Sequence, residues 1–131
     1  MDEKLLIKKA KEARENSYSP YSNFAVGAAL LTEEGKIFTG CNVENAVYGL
    51  SNCAERTAIF KAVSEGYRRF TAIAVVADTD EVCKPCGSCR QVFIEFNPDM
   101  EVIMSNLNGD VEIKKAVQLL PGSFSRKQLN S

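Results

Sequence analysis

The segment from Thr71 to Ala77 most constrains the fold, because it reads Thr-Ala-Ile-Ala-Val-Val-Ala without one charged residue. A half-exposed strand alternates apolar and polar residues, whereas a strand that is buried on both faces is apolar throughout. A short apolar run of this kind, rich in β-branched residues, favours a strand over a buried helix. We therefore predict a central strand in a sheet that helices cover on both sides.

The segments around this strand predict the remaining elements. Apolar residues recur at helical spacing near the start of the chain, and Pro20 follows where that helix must have ended. The predicted helices are 2–16, 54–64, 89–96 and a short one near 114–120, and the predicted strands are 26–31, 36–41, 71–77, 101–105 and 111–113. This order predicts an α/β fold, a three-layer α-β-α sandwich with a mixed five-stranded sheet.

Length and charge limit the class of protein. The 131 residues fit one domain over residues 1–131. The net charge is -1, and the basic residues between Lys4 and Arg14 alternate with glutamates, which predicts a solvated helix face rather than a nucleic-acid surface. We find no signal-peptide layout and no apolar run of the ~18 residues that span a bilayer. We expect a cytoplasmic protein whose thiols are reduced.

The chain has five cysteines and no histidine, which restricts its chemistry. An odd number of cysteines in a cytosolic chain argues against a disulfide framework and favours metal-binding or catalytic thiols. Without histidine, neither Ser-His nor Cys-His catalysis is possible. Any metal must then be held by thiolates or carboxylates. The cysteines are Cys41, Cys53, Cys83, Cys86 and Cys89.

Two short segments place thiols and a carboxylate at the spacing of a catalytic zinc site. Cys53-Ala-Glu55 and Pro85-Cys-Gly-Ser-Cys89 together supply three thiols and one glutamate. Catalytic zinc takes three protein ligands and keeps one position for water, and a glutamate that is not a ligand can move protons. A ligand, one residue, a glutamate and a later Pro-Cys-x-x-Cys form the signature of zinc deaminases, here in its three-cysteine form.

The predicted helices give this spacing a physical reason. Cys53 and Cys86 fall at two predicted helix N-termini, where the helix dipole favours the thiolate that binds metal. Cys86 and Cys89 are three residues apart and can face one ion. Cys53 and Glu55 can converge only if Cys53 lies at or before the cap and Glu55 lies in the first turn.

Charge balance predicts a cation beside the thiolates. Zinc at +2 with three thiolates keeps one net negative charge, and this leaves a bound water less acidic than three neutral imidazoles would. Arg56 and Arg90 each follow a site segment directly. We predict that Arg56 hydrogen-bonds the thiolates and offsets their charge.

Other interpretations of the cysteines stay open. Cys86 and Cys89 could form a redox pair, although no thioredoxin-like strand pattern precedes them. Cys83 or Cys41 could complete a closed four-cysteine site, and Cys83-x-x-Cys86-x-x-Cys89 also resembles part of an iron–sulfur run. A closed site would leave Glu55 without a purpose. We interpret Cys41 as a small residue at a strand end and Cys83 as a loop thiol that binds no metal.

Five segments carry a resemblance to a known family. They read YSPYSNFAVGA at 18–28, GCNVEN at 40–45, CAERTA at 53–58, PCGSCRQ at 85–91 and LLPGSFS at 119–125. In this order and spacing they resemble the cytidine deaminases of the small, homotetrameric, bacterial-type class. The resemblance covers nearly the whole chain, and the metal and glutamate positions match without a departure.

The resemblance implies a substrate site. Phe24 would pack on the pyrimidine ring, and Asn42 and Glu44 would hydrogen-bond the ribose 3′-hydroxyl. From the residues alone, Phe24 is more typical of a core and the segment 42–45 of a polar turn. Phe124 of a neighbouring subunit would stack on the base. The other substrate-binding residues that the resemblance implies are Ala54 and Tyr48, with Tyr48 near the shared edge of the site.

The resemblance also implies a reaction. One Zn²⁺ per chain, held by Cys53, Cys86 and Cys89, would activate water for hydrolysis of the 4-amino group, and Glu55 would carry both protons. The products would be uridine or deoxyuridine and ammonia, a step of pyrimidine salvage. The enzyme would be a homotetramer with shared active sites, and neither nucleic acid nor a membrane would be a partner.

Three other functions compete with this one. A deaminase of a blasticidin-type nucleoside shares the cysteine motifs, but the segment 42–45 favours a plain nucleoside. A polynucleotide deaminase needs a channel for phosphates, which the net charge of -1 disfavours. A zinc-binding module without catalytic activity predicts four thiolates and an expendable Glu55.

Overall fold

The structure is a computed structural model that describes residues 2–130. Within this range the chain forms one five-stranded sheet with helices packed on it. The helices are α1 (Glu3–Arg14), α2 (Ala54–Ser64), α3 (Gly87–Phe96), α4 (Ala116–Leu119) and α5 (Arg126–Asn130), with a 3₁₀ turn at Tyr48–Leu50. The strands are β1 (Val26–Thr32), β2 (Ile37–Cys41), β3 (Phe70–Ala77), β4 (Glu101–Asn106) and β5 (Val111–Lys115).

The sheet is mixed, as the sequence predicts. Its strand order is β2-β1-β3-β4-β5. Strand β3 pairs in parallel with β4, and the other three pairings are antiparallel. The predicted central strand is β3, which is buried at every position except Thr71.

Helices cover both faces of the sheet, and this confirms the three-layer α/β fold. Helix α1 packs on β1, β2 and β3 through a cluster that includes Leu6 and Ala10. The opposite face meets α2 and α3 in a larger core that includes Ile59, Phe70 and Phe93. Strand β3 contributes to both clusters, which is why its sequence is apolar on both faces.

Two glycines allow the layers to approach closely. A Cβ on Gly27 would lie 1.9 Å from the carbonyl oxygen of Ala10 in α1. A Cβ on Gly40 would lie 2.5 Å from the carbonyl oxygen of Ala54 in α2. Because the two glycines lie on opposite faces of paired strands, each one sets the distance of a different helix from the sheet.

The ends of several elements differ from the prediction. Helix α3 begins at Gly87, two residues earlier than predicted, with Cys86 in the N-cap position. Strand β5 continues to Lys115, so the helix predicted near 114–120 is only the single turn of α4. The 3₁₀ turn and α5 were not predicted. In α5 the amide of Ser125 donates to Gln128 Oε1 at 2.6 Å, a local helix start.

No helix in the described part of the chain combines the length and the apolar character needed to cross a bilayer.

Candidate metal centre and substrate cavity

The candidate site lies at one end of the sheet, where β1 begins and β2 and β3 end. The register pairs Val26 with Ala77 and Gly27 with Cys41, so these three strand ends are adjacent. The loops beyond them are joined by short bridges from Val43 to Tyr18 and to Asn52. Helices α2 and α3 both point their N-termini at this end of the sheet.

Three thiols meet at these helix N-termini. Cys53 caps α2, Cys86 caps α3, and Cys89 lies in the first turn of α3. The sulfur of Cys86 lies 3.7 Å from that of Cys53 and 3.5 Å from that of Cys89, and all three sulfurs lie within 4.8 Å of one another. Tetrahedral zinc with Zn–S bonds of about 2.3 Å separates its sulfurs by about 3.8 Å. The cluster therefore has the size and the donor chemistry that zinc requires.

This cluster is the one group of three or more potential metal ligands found in residues 2–130. Neither Cys41 nor Cys83 belongs to it. The geometry gives no support to a closed four-cysteine site.

Arg56 stabilises the thiolate form of the cluster. Its Nη2 donates to Cys53 Sγ at 3.3 Å. The pKa of Cys53 is lowered to about 5, first by a hydrogen bond from the thiol of Cys89 and then by Arg56 and Cys86. The pKa of Cys89 is raised, because its proton is held in the bond to Cys53 and its surroundings are buried. The thiol of Cys53 thus ionises before that of Cys89.

Glu55 lies beside this cluster in the first turn of α2. Glu55 is only 4% exposed to solvent. The pKa of Glu55 is raised to about 7, mainly by burial and to a smaller extent by the charge on Cys53. Cys53 lies at the helix cap and Glu55 lies in the first turn. The two side chains can converge only in this arrangement.

A cavity of about 320 Å³ opens onto the thiols and the carboxyl group. Its volume falls at the lower end of the range of small-molecule sites. The residues that line it are Ser22, Phe24, Val26, Asn42, Glu44, Cys53, Ala54, Glu55, Cys83, Lys84 and Cys86. It therefore brings together all predicted site residues except Cys89, Arg56, Tyr48 and Phe124.

Asn42 and Glu44 organise the loop that carries Phe24. Asn42 Nδ2 donates to the carbonyl oxygen of Phe24 at 2.7 Å, and its Oδ1 accepts from the amide of Val26 at 3.0 Å. Glu44 accepts from the backbone and the hydroxyl of Ser22. The hydroxyl bond is the main reason why the pKa of Glu44 is lowered. Both predicted sugar-binding residues thus already have protein partners.

Two predicted site residues lie away from this cavity. Tyr48 is 77% exposed, and its ring meets the edge of Tyr21 at 6.2 Å between centroids. Phe124 is 58% exposed, and its carbonyl oxygen accepts from Gln91 at 2.8 Å. Neither is among the described residues that line the cavity of their own chain.

Arg90, the second arginine that follows a site segment, has a different environment. Its Nε donates to the carbonyl oxygen of Pro85 at 2.8 Å, and its Nη1 donates to that of Leu119 at 2.9 Å. Arg90 thus ties the loop before Cys86 to the C-terminal segment, whereas Arg56 contacts a thiol.

Four cavity residues were missed in the sequence. Ser22 and Val26 lie in the segment that matches the family, but nothing in their spacing distinguishes them. Lys84 precedes the Pro85–Cys89 motif directly. Cys83 is buried rather than exposed in its loop, and burial raises its pKa to about 12. Its spacing of three residues from Cys86 is typical of a metal ligand, and it does not indicate a residue of the cavity wall.

The fold and the three-cysteine cluster define an α/β protein with a zinc-binding site. Comparisons with known proteins indicate the same class. The family model described as "Cytidine and deoxycytidylate deaminase zinc-binding region" matches residues 1–105. The cytidine deaminase of Sporosarcina psychrophila is 56% identical over 131 aligned residues, covering 99% of this chain and 96% of the relative. The cytidine deaminase of Halalkalibacterium halodurans is 55% identical, and the alignment covers 99% of this chain and 99% of the relative.

Solved structures give the same result. The crystal structure of cytidine deaminase from Burkholderia pseudomallei superposes with a TM-score of 0.93 at 57% identity, covering 95% of this chain and 100% of that one. The cytidine deaminase from Mycobacterium tuberculosis gives a TM-score of 0.82 at 39% identity, covering 95% and 98%. The chain belongs to the zinc-binding cytidine and deoxycytidylate deaminase family.

Proposed function

We propose that this chain hydrolyses the 4-amino group of cytidine and deoxycytidine, giving uridine or deoxyuridine and ammonia. The observation that carries the proposal is the position of Glu55, a buried carboxyl group that lines the same cavity as Cys53 and Cys86 of the three-thiol cluster. The cavity of about 320 Å³ suits one small ligand rather than a polymer. The family of its relatives supports the substrate class.

We assign one zinc ion per chain to Cys53, Cys86 and Cys89. The ion supplies a water molecule of lowered pKa when it is bound. Arg56 holds the thiolate of Cys53 by its hydrogen bond of 3.3 Å and offsets the excess negative charge of three thiolates.

Glu55 moves the protons of the reaction. Its carboxylate takes a proton from the attacking water and delivers it to N3 of cytosine, while the water oxygen bonds to C4. It then takes the remaining proton from the hydroxyl group on C4 and delivers it to the 4-amino group. The C4–N bond breaks to release ammonia and leaves the C4 carbonyl group of the product. A pKa of about 7 allows the same group to accept and donate near neutral pH.

The remaining cavity residues hold the nucleoside. Phe24 is half exposed at the cavity, which leaves its ring free to pack on the pyrimidine. Ala54 lies between Cys53 and Glu55 in the chain and lines the same cavity, so it is assigned to contact the nucleoside. Asn42 and Glu44 take the sugar, and the lowered pKa of Glu44 keeps it an acceptor for a hydroxyl group.

Conversion of cytidine to uridine, followed by the change in ultraviolet absorbance, tests the proposal. The zinc-loaded protein should deaminate cytidine and deoxycytidine. Glu55→Ala should keep its zinc and its fold but lose several orders of magnitude in kcat, because both proton transfers are removed. Retention of a tenth of the normal rate would exclude Glu55 as the proton carrier.

We also propose a homotetramer in which Phe124 completes a neighbour's site and Tyr48 lies near the shared edge of that site. Both side chains are largely exposed and lie outside their own cavity. Refolding Glu55→Ala together with Phe124→Ala should create some sites that hold both native residues, so activity should exceed the sum of the separately refolded variants. Strict additivity in a mixture that contains hybrid oligomers, or a monomeric mass for the active enzyme, would exclude sharing.

We infer that the enzyme is one domain over residues 1–131 and acts in cytoplasmic pyrimidine salvage, with no nucleic acid or membrane as partner. The five thiols, none of them in a disulfide, fit a reducing compartment.

A further inference from the structure

The hydroxyl group of Ser22 connects two residues of the substrate cavity. It donates to Oε2 of Glu44, and it accepts from the backbone amide of Phe24 at 3.0 Å. A serine hydroxyl has a single proton, so both bonds form only in the order Phe24 N–H to Ser22 O–H to Glu44 carboxylate. Such a chain is polarised in one direction, and each bond strengthens the next.

The carboxylate of Glu44 is held from one side. Its Oε1 accepts from the amides of Tyr21 and Ser22, both at 3.0 Å. Each carboxylate oxygen offers about two lone pairs, so these amides occupy Oε1. Oε2 accepts from the Ser22 hydroxyl and keeps one lone pair free. A ligand hydroxyl that binds Glu44 must therefore bind Oε2, beside Ser22.

The Phe24 end of this series of hydrogen bonds is also held in place. Asn23 has a left-handed φ of 57°, a conformation that asparagine tolerates, and this turn returns the Phe24 amide to the Ser22 hydroxyl. The carbonyl oxygen of Phe24 accepts from Asn42 Nδ2 at 2.7 Å. The backbone of Phe24 is thus bound at two points. Its amide donates to Ser22, the partner of Glu44, and its carbonyl oxygen accepts from Asn42.

We propose that Ser22 is a positioning residue that aims Oε2 of Glu44 at the sugar 3′-hydroxyl and couples this contact to Phe24. The inference rests on the proposed function, since it takes a cytosine nucleoside as the ligand. Without the Ser22 hydroxyl, Oε2 loses this protein donor, and part of the binding free energy of the 3′-hydroxyl is used to order the carboxylate. The Phe24 amide also loses its acceptor.

Substrates that differ in one hydroxyl group test this role. The measured quantity is kcat/KM for cytidine divided by kcat/KM for 3′-deoxycytidine, which lacks only the 3′-hydroxyl. Ser22→Ala should lower this ratio by about fivefold, part of the value of a hydrogen bond to a charged group. Because 2′-deoxycytidine keeps the 3′-hydroxyl, its ratio to 3′-deoxycytidine should fall by the same factor.

Two variants serve as matched controls. Ser22→Thr keeps the hydroxyl and should retain the wild-type ratio. Ser19→Ala removes a hydroxyl from the same loop, but that hydroxyl bonds Ser17 at 3.2 Å and does not line the cavity. It should therefore leave the ratio unchanged. If Ser22→Ala does not fold, Ser22→Gly removes the same hydroxyl group and carries the same expectation.

A purely structural serine gives a different result. Parallel loss of kcat/KM on all three nucleosides, with an unchanged ratio, would overturn the inference. A ratio that rises in Ser22→Ala would also overturn it, since the hydroxyl would then compete with the sugar. If the wild-type, zinc-loaded protein deaminates none of the three nucleosides, the proposed function itself is wrong.

Discussion

Replacing Gly40 with alanine should displace the helix that carries the site. The new Cβ would lie 2.5 Å from the carbonyl oxygen of Ala54 and 2.6 Å from the amide nitrogen of Ala58, whereas ordinary contact begins at 3.4 Å. Both atoms belong to the backbone of α2, so no side-chain rotation relieves the contact. Helix α2 must retreat by roughly 1 Å, and Cys53 and Glu55 move with it. A misplacement of that size costs about 10²-fold in rate.

The same variant should remain folded. Overpacking of this kind costs about 1–3 kcal/mol, less than the roughly 5–15 kcal/mol by which a domain is stable. We expect kcat for cytidine to fall about 100-fold at saturating substrate. The assay combines initial rates with zinc content per chain and urea unfolding, so that loss of metal, loss of fold and misplacement are measured separately.

Two other glycines provide the controls. Gly49 has no atom within 4 Å of its Cβ position, so Gly49→Ala should leave stability unchanged. Gly27→Ala places a Cβ 1.9 Å from Ala10 of α1, on the face away from α2. It should destabilise the fold at least as much as Gly40→Ala while the remaining folded enzyme keeps its kcat. A kcat within threefold of the wild type for folded, zinc-loaded Gly40→Ala would show that the new Cβ does not displace the site.

Further predictions concern the metal, the loop and the pH profile. Cys41→Ala and Cys83→Ala should each keep one zinc per chain by atomic absorption while Cys53→Ala loses it; the reverse pattern contradicts the ligand set. Asn23→Val should raise KM for cytidine more than Asn23→Gly, because a left-handed φ of 57° strains a β-branched residue by about 1–2 kcal/mol; equal KM values count against this. Since the pKa of Glu55 is about 7 and its ionised form accepts the first proton, kcat/KM should fall about tenfold per pH unit below about pH 7, and a flat profile to about pH 5 excludes this.

The layers of the fold were predictable because they depend on patterns within single segments. The apolar run of β3 requires cover on both faces, and the structure provides it from α1 on one side and from α2 and α3 on the other. The last part of the chain was harder. Strand β5 is an edge strand with mostly exposed residues, so its pattern of burial is weak. The start of α5 depends on a single pair, Ser125 and Gln128, which a search for apolar periodicity passes over.

The metal cluster was predictable for a related reason. Two of its ligands occupy helix caps and the third lies in a first turn, and helix starts are defined by a few neighbouring residues. The cavity wall is different, since pairing of distant strands assembles it. Ser22 reaches Glu44 across a sequence separation of 22 residues. Lys84 lines the cavity because the loop after β3 passes the start of β1, and no local pattern encodes that meeting.

The burial of Glu55 shows where the chemistry of the site opposes the stability of the fold. The pKa of Glu55 is raised from 4.5 to about 7, so the folded protein favours its protonated form. The stability that this preference contributes to the folded protein is fully present below pH 4.5 and is lost as the pH rises through about 7. A neutral side chain of the same shape would avoid the loss. Proton transfer in both directions requires both forms, however, and the free-energy difference between them is smallest when the pKa lies near the working pH. Burial accounts for most of this shift, the thiolate of Cys53 raises the pKa and Arg56 lowers it, so a proposed metal ligand and its arginine partner also adjust the acidity of the proton carrier.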